Sequence, residues 1–442
     1  DLGPPNRSQR EDLIDNTFPT SPDPTDVVDR PPITMQVNDP IADYFRVTLH
    51  RDETCPICLV GCGQAGTEMV GFFRLKPDFV TAYTAEYYPV RAAAFDTQSA
   101  LGENLKKKFR WDEPEVQIHI QTPAEEIRDE VLEREAKRVE GNPESSEFPY
   151  SAQPFSTGGA SGQTLKGRAA ALLNFKQAPF VENLDHFTSL EKGRLFSRSH
   201  GGYLLGFNSL GGGTGSGSLP VVMEYVKEIL SPKPMASFAI SVVPRVGDFQ
   251  LDSNCLTSLY YMVKNEHIDG IILTDNLKVA QSPTQGHESY SENFHDIDRY
   301  LHDVLMPLFL APQPNYNFFL EMDPANVKSD LQPAGKSELI VACFAICPLG
   351  QADKRVRNMK HQKVNLSRDG VPVLGDMLDK ALDNPTIKFT PHTGRRAIAL
   401  IAGPERALLD MKLGTSQVRD GFQDEIYQKV IDPSLRERKP RV

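Results

Sequence analysis

Two glycine-rich segments have the composition and spacing of phosphate-binding turns. The first, Gly61–Gly66, reads GCGQAG, follows an apolar run and precedes a helical pattern. Glycine lets the backbone approach a phosphate closely, and the following helix N-terminus points N–H groups at it. The GxGxxG spacing, with Glu86 near the next predicted strand, is also typical of a dinucleotide-binding oxidoreductase. A tight strand–helix turn without any ligand is the other reading of this motif.

The second segment, Gly211–Gly217, reads GGGTGSG and follows another apolar run. Its glycines predict a nest of N–H donors, with the Thr214 and Ser216 hydroxyls around phosphate oxygens. Ser218 and Pro220 suit the start of the next helix. A flexible linker does not fit between a buried strand and an amphipathic helix, and the Walker pattern GxxxxGK[ST] is absent. A second phosphate nest serves the three phosphates of a mononucleotide better than a nicotinamide cofactor.

Apolar strand-like runs alternate with helical patterns, which predicts a doubly wound α/β domain with a parallel sheet covered on both faces. The predicted strands of this domain are Ile57–Val60, Val80–Thr84, Ala92–Phe95, Val116–Ile120, Tyr203–Asn208, Ala236–Val243 and Ile268–Thr274. Leu339–Ile346, Thr386–Thr390 and Ala397–Ile401 are predicted strands of a second, smaller unit. A charged helix is expected over Glu125–Glu140, and a long mobile loop over Gly141–Ser161.

The GGGTGSG segment resembles the signature of the tubulin/FtsZ superfamily. The sequence is most similar to its archaeal CetZ-type members, whose first loop also reads GQAG, and the resemblance covers roughly Ile57 to Ala402. It implies an α/β fold with a Rossmann-like GTPase domain over 53–291, a central connecting helix over 292–311 and a smaller α/β C-terminal domain over 312–430. A flexible Pro-rich extension over 1–52 and a basic tail over 431–442 lie outside it.

The resemblance also implies GTP or GDP as the ligand, with Mg²⁺ on the nucleotide phosphates and no direct protein ligand to the metal. Asp96-Thr97 stands where the family carries an Asn-Thr or similar pair, and the Asp leaves a role toward phosphate or Mg²⁺ open. Gly159 lies in a loop similar to the one near the γ-phosphate, and Asp248 stands at the ribose station.

Asn276 and Asp298 match the family's base-reading stations. A carboxylate at Asp298 accepts the adjacent N1–H and N2–H₂ donors of guanine, a pair that adenine lacks. The nucleotide-binding residues expected in this way are Gly61, Cys62, Gly63, Gln64, Ala65, Gly66, Asp96, Thr97, Gly159, Gly211, Gly212, Gly213, Thr214, Gly215, Ser216, Gly217, Asp248, Asn276 and Asp298.

In the family, a loop after the central helix carries acids that reach the γ-phosphate of the neighbouring subunit. Asp323 falls on the first acid, which would orient or activate the attacking water. Asn326 stands at the second station, where an amide positions water but cannot take its proton. Asp330, one helical turn later, is a candidate substitute. Asp323 followed by Pro324 is equally a good helix start.

Three functions follow from these motifs. The first is a GTP-dependent cytoskeletal protein that self-assembles head-to-tail and hydrolyses GTP, and the second is a relative with little or no hydrolysis. The third is a dinucleotide oxidoreductase. Copies of itself are the expected partners, with an adaptor protein on the N-terminal arm or basic tail. A net charge of −11 disfavours nucleic acid, and no apolar run approaches the roughly 18 residues that span a bilayer. Six Cys in a long chain indicate reduced thiols, so a cytoplasmic location is expected.

Overall fold

A computed structural model describes slightly less than half of the chain. The described residues are 57–74, 90–112, 117–139, 155–156, 159–175, 202–230, 235–244, 249–275, 298, 301–302, 305–306, 308–310, 338–343, 372–390, 394–395, 397–401, 408, 410–413 and 415–431. The strands are β1 (Ile57–Cys62), β2 (Val90–Asp96), β3 (Gln117–His119), β4 (Thr122–Pro123), β5 (Phe155–Ser156), β6 (Gly202–Ser209), β7 (Met235–Val243), β8 (Gly270–Asp275) and β9 (Glu338–Ile340). The helices are α1 (Gly63–Phe73), α2 (Leu101–Phe109), α3 (Glu125–Val139), α4 (Thr164–Asn174), α5 (Gly213–Leu230), α6 (Phe249–Lys264), α7 (Leu374–Leu382) and α8 (Ser416–Val430).

Seven strands form one sheet in the order β3-β2-β1-β6-β7-β8-β9, and every neighbouring pair is parallel. The central strands are apolar because both faces of the sheet are covered: Ile57 to Val60 in β1 have no exposed surface. The predicted parallel α/β fold is confirmed. The predicted strand Val80–Thr84 lies outside the described residues. The other six predicted strands of this domain match β1, β2, β3, β6, β7 and β8.

Helices α4 and α5 pack with their backbones in direct contact, and glycine makes this approach possible. An added Cβ at Gly217 would lie 2.0 Å from the carbonyl oxygen of Thr164, and one at Gly167 would lie 2.3 Å from that of Gly213. No side chain fits at such distances. Gly217 of the GGGTGSG segment and Gly167 of α4 are therefore required by helix packing, whatever else they do.

Helix α5 begins at Gly213, earlier than the Ser218–Pro220 start that the sequence suggested, so that start is wrong. Pro220 consequently lies inside the helix, where its missing N–H leaves the Ser216 carbonyl without its usual partner. The fully buried Ser258 hydroxyl of α6 donates to that carbonyl oxygen at 2.8 Å. This bond compensates for the Pro and ties α6 to the first turns of α5.

Helix α3 is charged, as expected, and carries two ion pairs between residues four apart: Arg134 with Glu130 and Lys137 with Glu133. A third acid, Glu135, is buried and pairs with the equally buried Arg168 of α4. The Arg168 guanidinium also lies 3.9 Å from the ring centroid of Tyr261 in α6. This ion pair and cation–π contact fix α4 between α3 and α6. Within the predicted mobile loop 141–161, the residues 155–156 form strand β5 and pair with β4.

The structure corrects the strands predicted for a second unit. Glu338–Ile340 is the edge strand of the main sheet, paired parallel with β8, and no longer strand extends over Leu339–Ile346 in the described residues. Thr386–Thr390 is not a strand, because the Thr386 backbone instead bridges β8 and Ala342: its oxygen accepts from Asp275 N at 2.8 Å and its N–H donates to Ala342 at 2.7 Å. Residues 397–401 are mostly exposed, and the described chain places no partner strand beside them.

The described residues between 298 and 310 are helical, within the range predicted for the connecting helix. Leu301, Leu305, Phe309 and Leu310 are buried in the main core. The predicted domain bounds stay predictions. Among the described residues, no helix combines the length and the apolar composition that crossing a membrane requires.

The α4–α5 contact makes a stability prediction. We expect Gly217→Ala to destabilise the domain by about 1–3 kcal/mol, because the new methyl group forces two backbones apart. Urea unfolding followed by circular dichroism measures this free energy. Gly212→Ala is the matched control, since a Cβ there meets nothing within 4 Å. Equal unfolding midpoints for the two variants would contradict the packing role of Gly217.

Candidate functional site

The two glycine segments meet at the carboxyl edge of the sheet. Strands β1 and β6 are parallel neighbours, so the turns that follow them lie side by side. An added Cβ at Gly63 would be 2.6 Å from the Gly215 nitrogen, and one at Gly215 would be 2.5 Å from the Cys62 carbonyl oxygen. Gly63 also has a φ of 70°, in the left-handed region that favours glycine. The turns are therefore in backbone contact, and neither side of the contact tolerates a side chain.

A third helix begins at the same place. An added Cβ at Gly213, the first residue of α5, would lie 2.5 Å from the backbone nitrogen of Gln163, the residue at the N-cap position of α4. The N-termini of α1, α4 and α5 thus converge. The first N–H groups of a helix have no partner within it, and the helix dipole adds positive potential there. Three such ends direct unpaired N–H groups and positive potential to one place, an arrangement that favours an anion such as phosphate.

Hydroxyl groups join the loops around these helix starts. The Thr97 and Thr214 hydroxyl oxygens are 2.7 Å apart, and the Ala160 N–H donates to the Thr97 oxygen at 3.3 Å. Thr97 therefore links the end of β2, the loop that contains Gly159 and the first turn of α5. These loops carry three of the predicted phosphate-binding segments, and the structure brings them together.

The Ser216 hydroxyl does not face a ligand as the sequence suggested. It is fully buried, lies 2.7 Å from the Thr164 hydroxyl and donates to the Gly212 and Gly213 carbonyls. Burial inside the α4–α5 contact explains this orientation. The part of Ser216 that remains for an anion is its backbone N–H.

Asn208 is a site residue that the motif search missed. It ends an apolar strand, is fully buried, and its amide donates to the Gly215 carbonyl at 3.1 Å. Its side-chain oxygen accepts from Ser241 of β7 at 2.6 Å. The two residues thus hold the first turn of α5 on the sheet. Polar residues inside the apolar runs YLLGFN and ASFAISVV are the sequence signal that points to them.

Asp96 lies at the end of β2 beside Thr97 and is 3% exposed. Its Oδ1 accepts from the Thr97 and Gln98 backbone N–H groups at 2.7 and 3.4 Å. Burial raises the pKa of Asp96 to about 6, although those hydrogen bonds and the neighbouring His119 oppose the shift. The carboxyl therefore exchanges its proton close to neutral pH, at the border of the anion site.

Asp298, the predicted reader of guanine, is 5% exposed. Burial raises the pKa of its carboxyl well above the usual range, and Glu68 raises it further while Lys108 lowers it. Glu68 forms an ion pair with Lys108 and accepts from Gln64 of the first glycine turn at 3.3 Å. Asp298 thus adjoins the first turn through Glu68, and its burial disfavours the charged form of the carboxyl.

The remaining predicted site residues lie outside the described part of the chain. They are Asp248, Asn276, Asp323, Asn326 and Asp330. Their proposed contacts with ribose, base and the terminal phosphate stay predictions.

The strand order β3-β2-β1-β6-β7-β8 is shared with dinucleotide-binding folds, so the sheet alone does not separate the two ligand classes. In those folds a dinucleotide extends through the crevice where the strand order reverses, which here lies between β1 and β6. The Gly63–Gly215 backbone contact lies at this point of the sheet.

No family model and no curated protein sequence matches the chain. Among solved structures, CetZ from Methanosaeta thermophila strain DSM 6194 is 17% identical over 68% of this chain and 64% of its own, with a TM-score of 0.43. An FtsZ dimer from M. jannaschii is 18% identical over 66% and 63%, with a TM-score of 0.41. TubZ from Bacillus thuringiensis serovar israelensis, a GTPγS-form protofilament, is 14% identical over 68% and 67%, with a TM-score of 0.41.

The chain spans slightly less than two thirds of the CetZ and FtsZ structures. The three proteins carry the names of the family that the glycine motif resembles. The functional assignment below rests on the residues of the site and their geometry.

Asp96 gives the site a pH-dependent cost in stability. Because its pKa is 3.8 in the reference state and about 6 in the folded chain, the folded state binds the proton more tightly. The contribution of Asp96 to the free energy of unfolding is therefore fully present below pH 3.8 and is lost as the pH rises to 6. The loss amounts to about 3 kcal/mol. We expect Asp96→Asn, whose amide oxygen keeps both backbone bonds, to be more stable than wild type by up to that amount at pH 7.5, with no such gain near pH 4.

Urea unfolding at a series of pH values, in EDTA and without nucleotide, measures this difference. Asp112→Asn is the control, because Asp112 is exposed and its ion pair with Lys106 is of the weak surface kind. A constant difference between Asp96→Asn and wild type from pH 4 to 7.5 would rule out the buried carboxyl as its source.

Proposed function

We propose that the chain is a tubulin/FtsZ-type protein that binds guanine nucleotide, assembles head-to-tail into filaments and hydrolyses GTP at the contact between subunits. The observation that carries the proposal is the convergence of three helix N-termini on the GGGTGSG turn. The resemblance of that motif to the superfamily signature supplies the nucleotide class.

The phosphates would lie over the contact between the α1 and α5 turns. Gly61–Gly66 and Gly211–Gly217 offer backbone N–H groups there, and glycine leaves the approach open. Gly212 is the most open of these positions, since an added Cβ would meet nothing within 4 Å. The Thr97 and Thr214 hydroxyls bond each other and so join the loops. Since this bond uses one hydroxyl proton, the other would be left for a phosphate oxygen.

Asp96 favours a nucleotide that carries Mg²⁺ over a free one. A carboxylate beside phosphate oxygens repels them unless a cation lies between. Its Oδ2 has no partner among the described residues, whereas Oδ1 is held by the backbone. When bound, Mg²⁺ would neutralise charge on the phosphate oxygens. Asp96 would then place its negative charge next to the metal-bound phosphates. The carboxylate would approach them directly or through a water molecule.

Asp298 supports guanine as the base. Burial disfavours the charged form of this carboxyl, and two adjacent N–H donors would favour the carboxylate by replacing the lost solvation. Guanine offers N1–H and N2–H₂ in that arrangement, and adenine does not. Asn276 and Asp248 would complete the contacts with base and ribose.

Hydrolysis would be completed by the next subunit of the filament. Its Asp323 would orient the attacking water, with Asn326 positioning that water and Asp330 as a substitute acid. Because Asn326 cannot accept a proton, we propose slow turnover. A head-to-tail contact joins two different surfaces and does not close on itself, so it generates a filament.

Recognition of the base by Asp298 predicts that GTP binding is coupled to the release of a proton. We expect Asp298→Asn to weaken GTP binding by roughly 10- to 100-fold, since one charge-assisted acceptor is lost, and to leave weak ATP binding unchanged. Wild-type affinity for GTP should rise with pH up to the raised pKa of Asp298, because binding releases its proton. Calorimetry at several pH values measures both effects. In the variant, the GTP affinity should no longer show this rise with pH. Equal GTP affinity and equal slope for both proteins would refute the role of Asp298 in base recognition.

An active site that is shared between subunits predicts that the rate of GTP hydrolysis depends on assembly. Phosphate release per subunit should rise with protein concentration, because only contacts between subunits hydrolyse GTP. Asp323→Ala should keep GTP binding and lose at least about 90% of turnover, whereas Asn326→Asp should raise the rate by restoring an acid. Phosphate release across a concentration series, with Asp112→Ala as an exposed-acid control, checks this. A rate per subunit that does not depend on concentration would exclude catalysis between subunits.

A further inference from the structure

Three side chains with metal-binding groups converge at the amino edge of the sheet, opposite the phosphate turns. Glu224 and Glu228 lie four residues apart on α5, and His267 lies in the segment that joins α6 to β8. One carboxylate oxygen of each Glu and one imidazole nitrogen all lie within 4.8 Å of one another. His267 Nε2 and Glu228 Oε1 are 3.9 Å apart. All three side chains are at least partly exposed, so an ion can reach them from bulk water.

The backbone of His267 is held against α5 on both of its sides. The Asn265 amide donates to the Pro220 carbonyl of α5 at 2.7 Å, and its side-chain oxygen accepts from the His267 N–H at 2.8 Å. The His267 carbonyl accepts from Lys227 of α5 at 3.2 Å and from Ser237 of β7 at 2.5 Å. The backbone that carries the imidazole is therefore fixed relative to the helix that carries the two carboxylates.

An imidazole nitrogen with two carboxylate oxygens is a donor set for Zn²⁺ and neighbouring divalent transition ions. Two ligands four residues apart on a helix share one face, which is the spacing of the two His ligands in the HExxH motif. Tetrahedral Zn²⁺, with bonds of about 2.0–2.2 Å, places its ligand atoms about 3.3–3.6 Å apart. The 3.9 Å between His267 and Glu228 exceeds this range by a few tenths of an ångström, which a small side-chain rotation supplies.

The charges at this place also suit a divalent cation. The Lys227 ammonium lies 3.2 Å from a carboxylate oxygen of Asp269 and donates to the Ser237 hydroxyl at 2.7 Å. Asp269 is 1% exposed and depends on this cation, because a buried carboxylate without a partner is costly. A divalent ion would balance the charges of Glu224 and Glu228 together.

The cluster is separate from the phosphate turns. Glu224 lies about three turns along α5 from its first residue, Gly213, which is roughly 16 Å along the helix axis. None of the three residues belongs to the predicted nucleotide site. An ion bound here is therefore independent of the proposed function.

We propose that Glu224, Glu228 and His267 form a binding site for a divalent transition metal ion of the Zn²⁺ class. Water completes the coordination on the solvent side. The bound ion joins the second half of α5 to the segment before β8, in addition to the bonds of Asn265 and Lys227. Because the three ligands come from two elements that meet only in the folded chain, the ion stabilises the fold.

Calorimetric titration with ZnCl₂ tests the site in the full chain, treated with EDTA, desalted and kept reduced without nucleotide. His267→Gln and Glu228→Gln each remove one ligand, and Glu266→Gln, which changes an exposed acid beside His267, is the matched control. Wild type and the control should bind one Zn²⁺ ion that each ligand variant binds at least about tenfold more weakly, since loss of groups that only orient a ligand already costs about 10- to 100-fold. Ions held by thiols or by other His residues are common to all four proteins. Equal Zn²⁺ binding by wild type and both ligand variants overturns the site.

Titration with MgCl₂ tests the class of ion. Mg²⁺ prefers six oxygen ligands in a near-ideal octahedron, so its binding should be the same in wild type, both ligand variants and the control. A loss of Mg²⁺ binding in the variants that equals their loss of Zn²⁺ binding overturns the assignment to transition metals.

Hydrogen exchange locates the ion in the structure. In wild type, Zn²⁺ should slow exchange in the peptide that covers residues 264–270 by at least about threefold, because the ion ties this segment to α5. The same peptide should show no change with Zn²⁺ in His267→Gln, and peptides from β1 should show none in either protein. An unchanged rate in wild type, or equal slowing in wild type and His267→Gln, overturns the proposed site.

Discussion

The backbone contact between the turns after β1 and β6 is the constraint on which the rest of the site depends. Gly63 and Gly215 approach each other without side chains, and this contact aligns the N-termini of α1 and α5. A Cβ at either glycine would separate the helix starts.

Polar side chains inside the apolar layers maintain this contact. Asn208, Ser241, Ser258 and Asn254 are buried, and each bonds a backbone or side-chain group of the phosphate turns or their strands. Buried polar groups cost free energy unless they are bonded, so their positions in the core are explained by what they hold. Asp96 and Asp298 differ, since burial raises the pKa of each carboxyl by more than the neighbouring hydrogen bonds and positive charges lower it. Their cost in the empty protein is typical of functional sites.

The periodicity of apolar runs was sufficient to predict the sheet, because parallel strands are apolar on both faces and stand out between amphipathic helices. The glycine motifs predicted two strand–helix turns that the structure brings into contact, and the binding of an anion there stays a prediction. The start of α5 and the Ser216 orientation were not predictable, since both follow from the crossing of α4 and α5, which joins residues 52 apart in the chain. The assignment of the predicted strand Leu339–Ile346 to a second unit failed for a similar reason: the apolar run does not indicate which sheet edge it extends, and its described part, Glu338–Ile340, lies at the edge of the main sheet. Asn254 was missed because a polar residue on a helix gives no sign of the distant carbonyls that it bonds.

The central claim is that the converging helix N-termini bind the phosphates of a guanine nucleotide. Calorimetric titration of the nucleotide-stripped protein with GTPγS, ATPγS and NAD⁺, each with Mg²⁺, tests it most directly. The account predicts saturable binding of GTPγS with one site per chain, at least about tenfold weaker binding of ATPγS, and no competition by NAD⁺. Saturable binding of NAD⁺ together with no heat from GTPγS would contradict it.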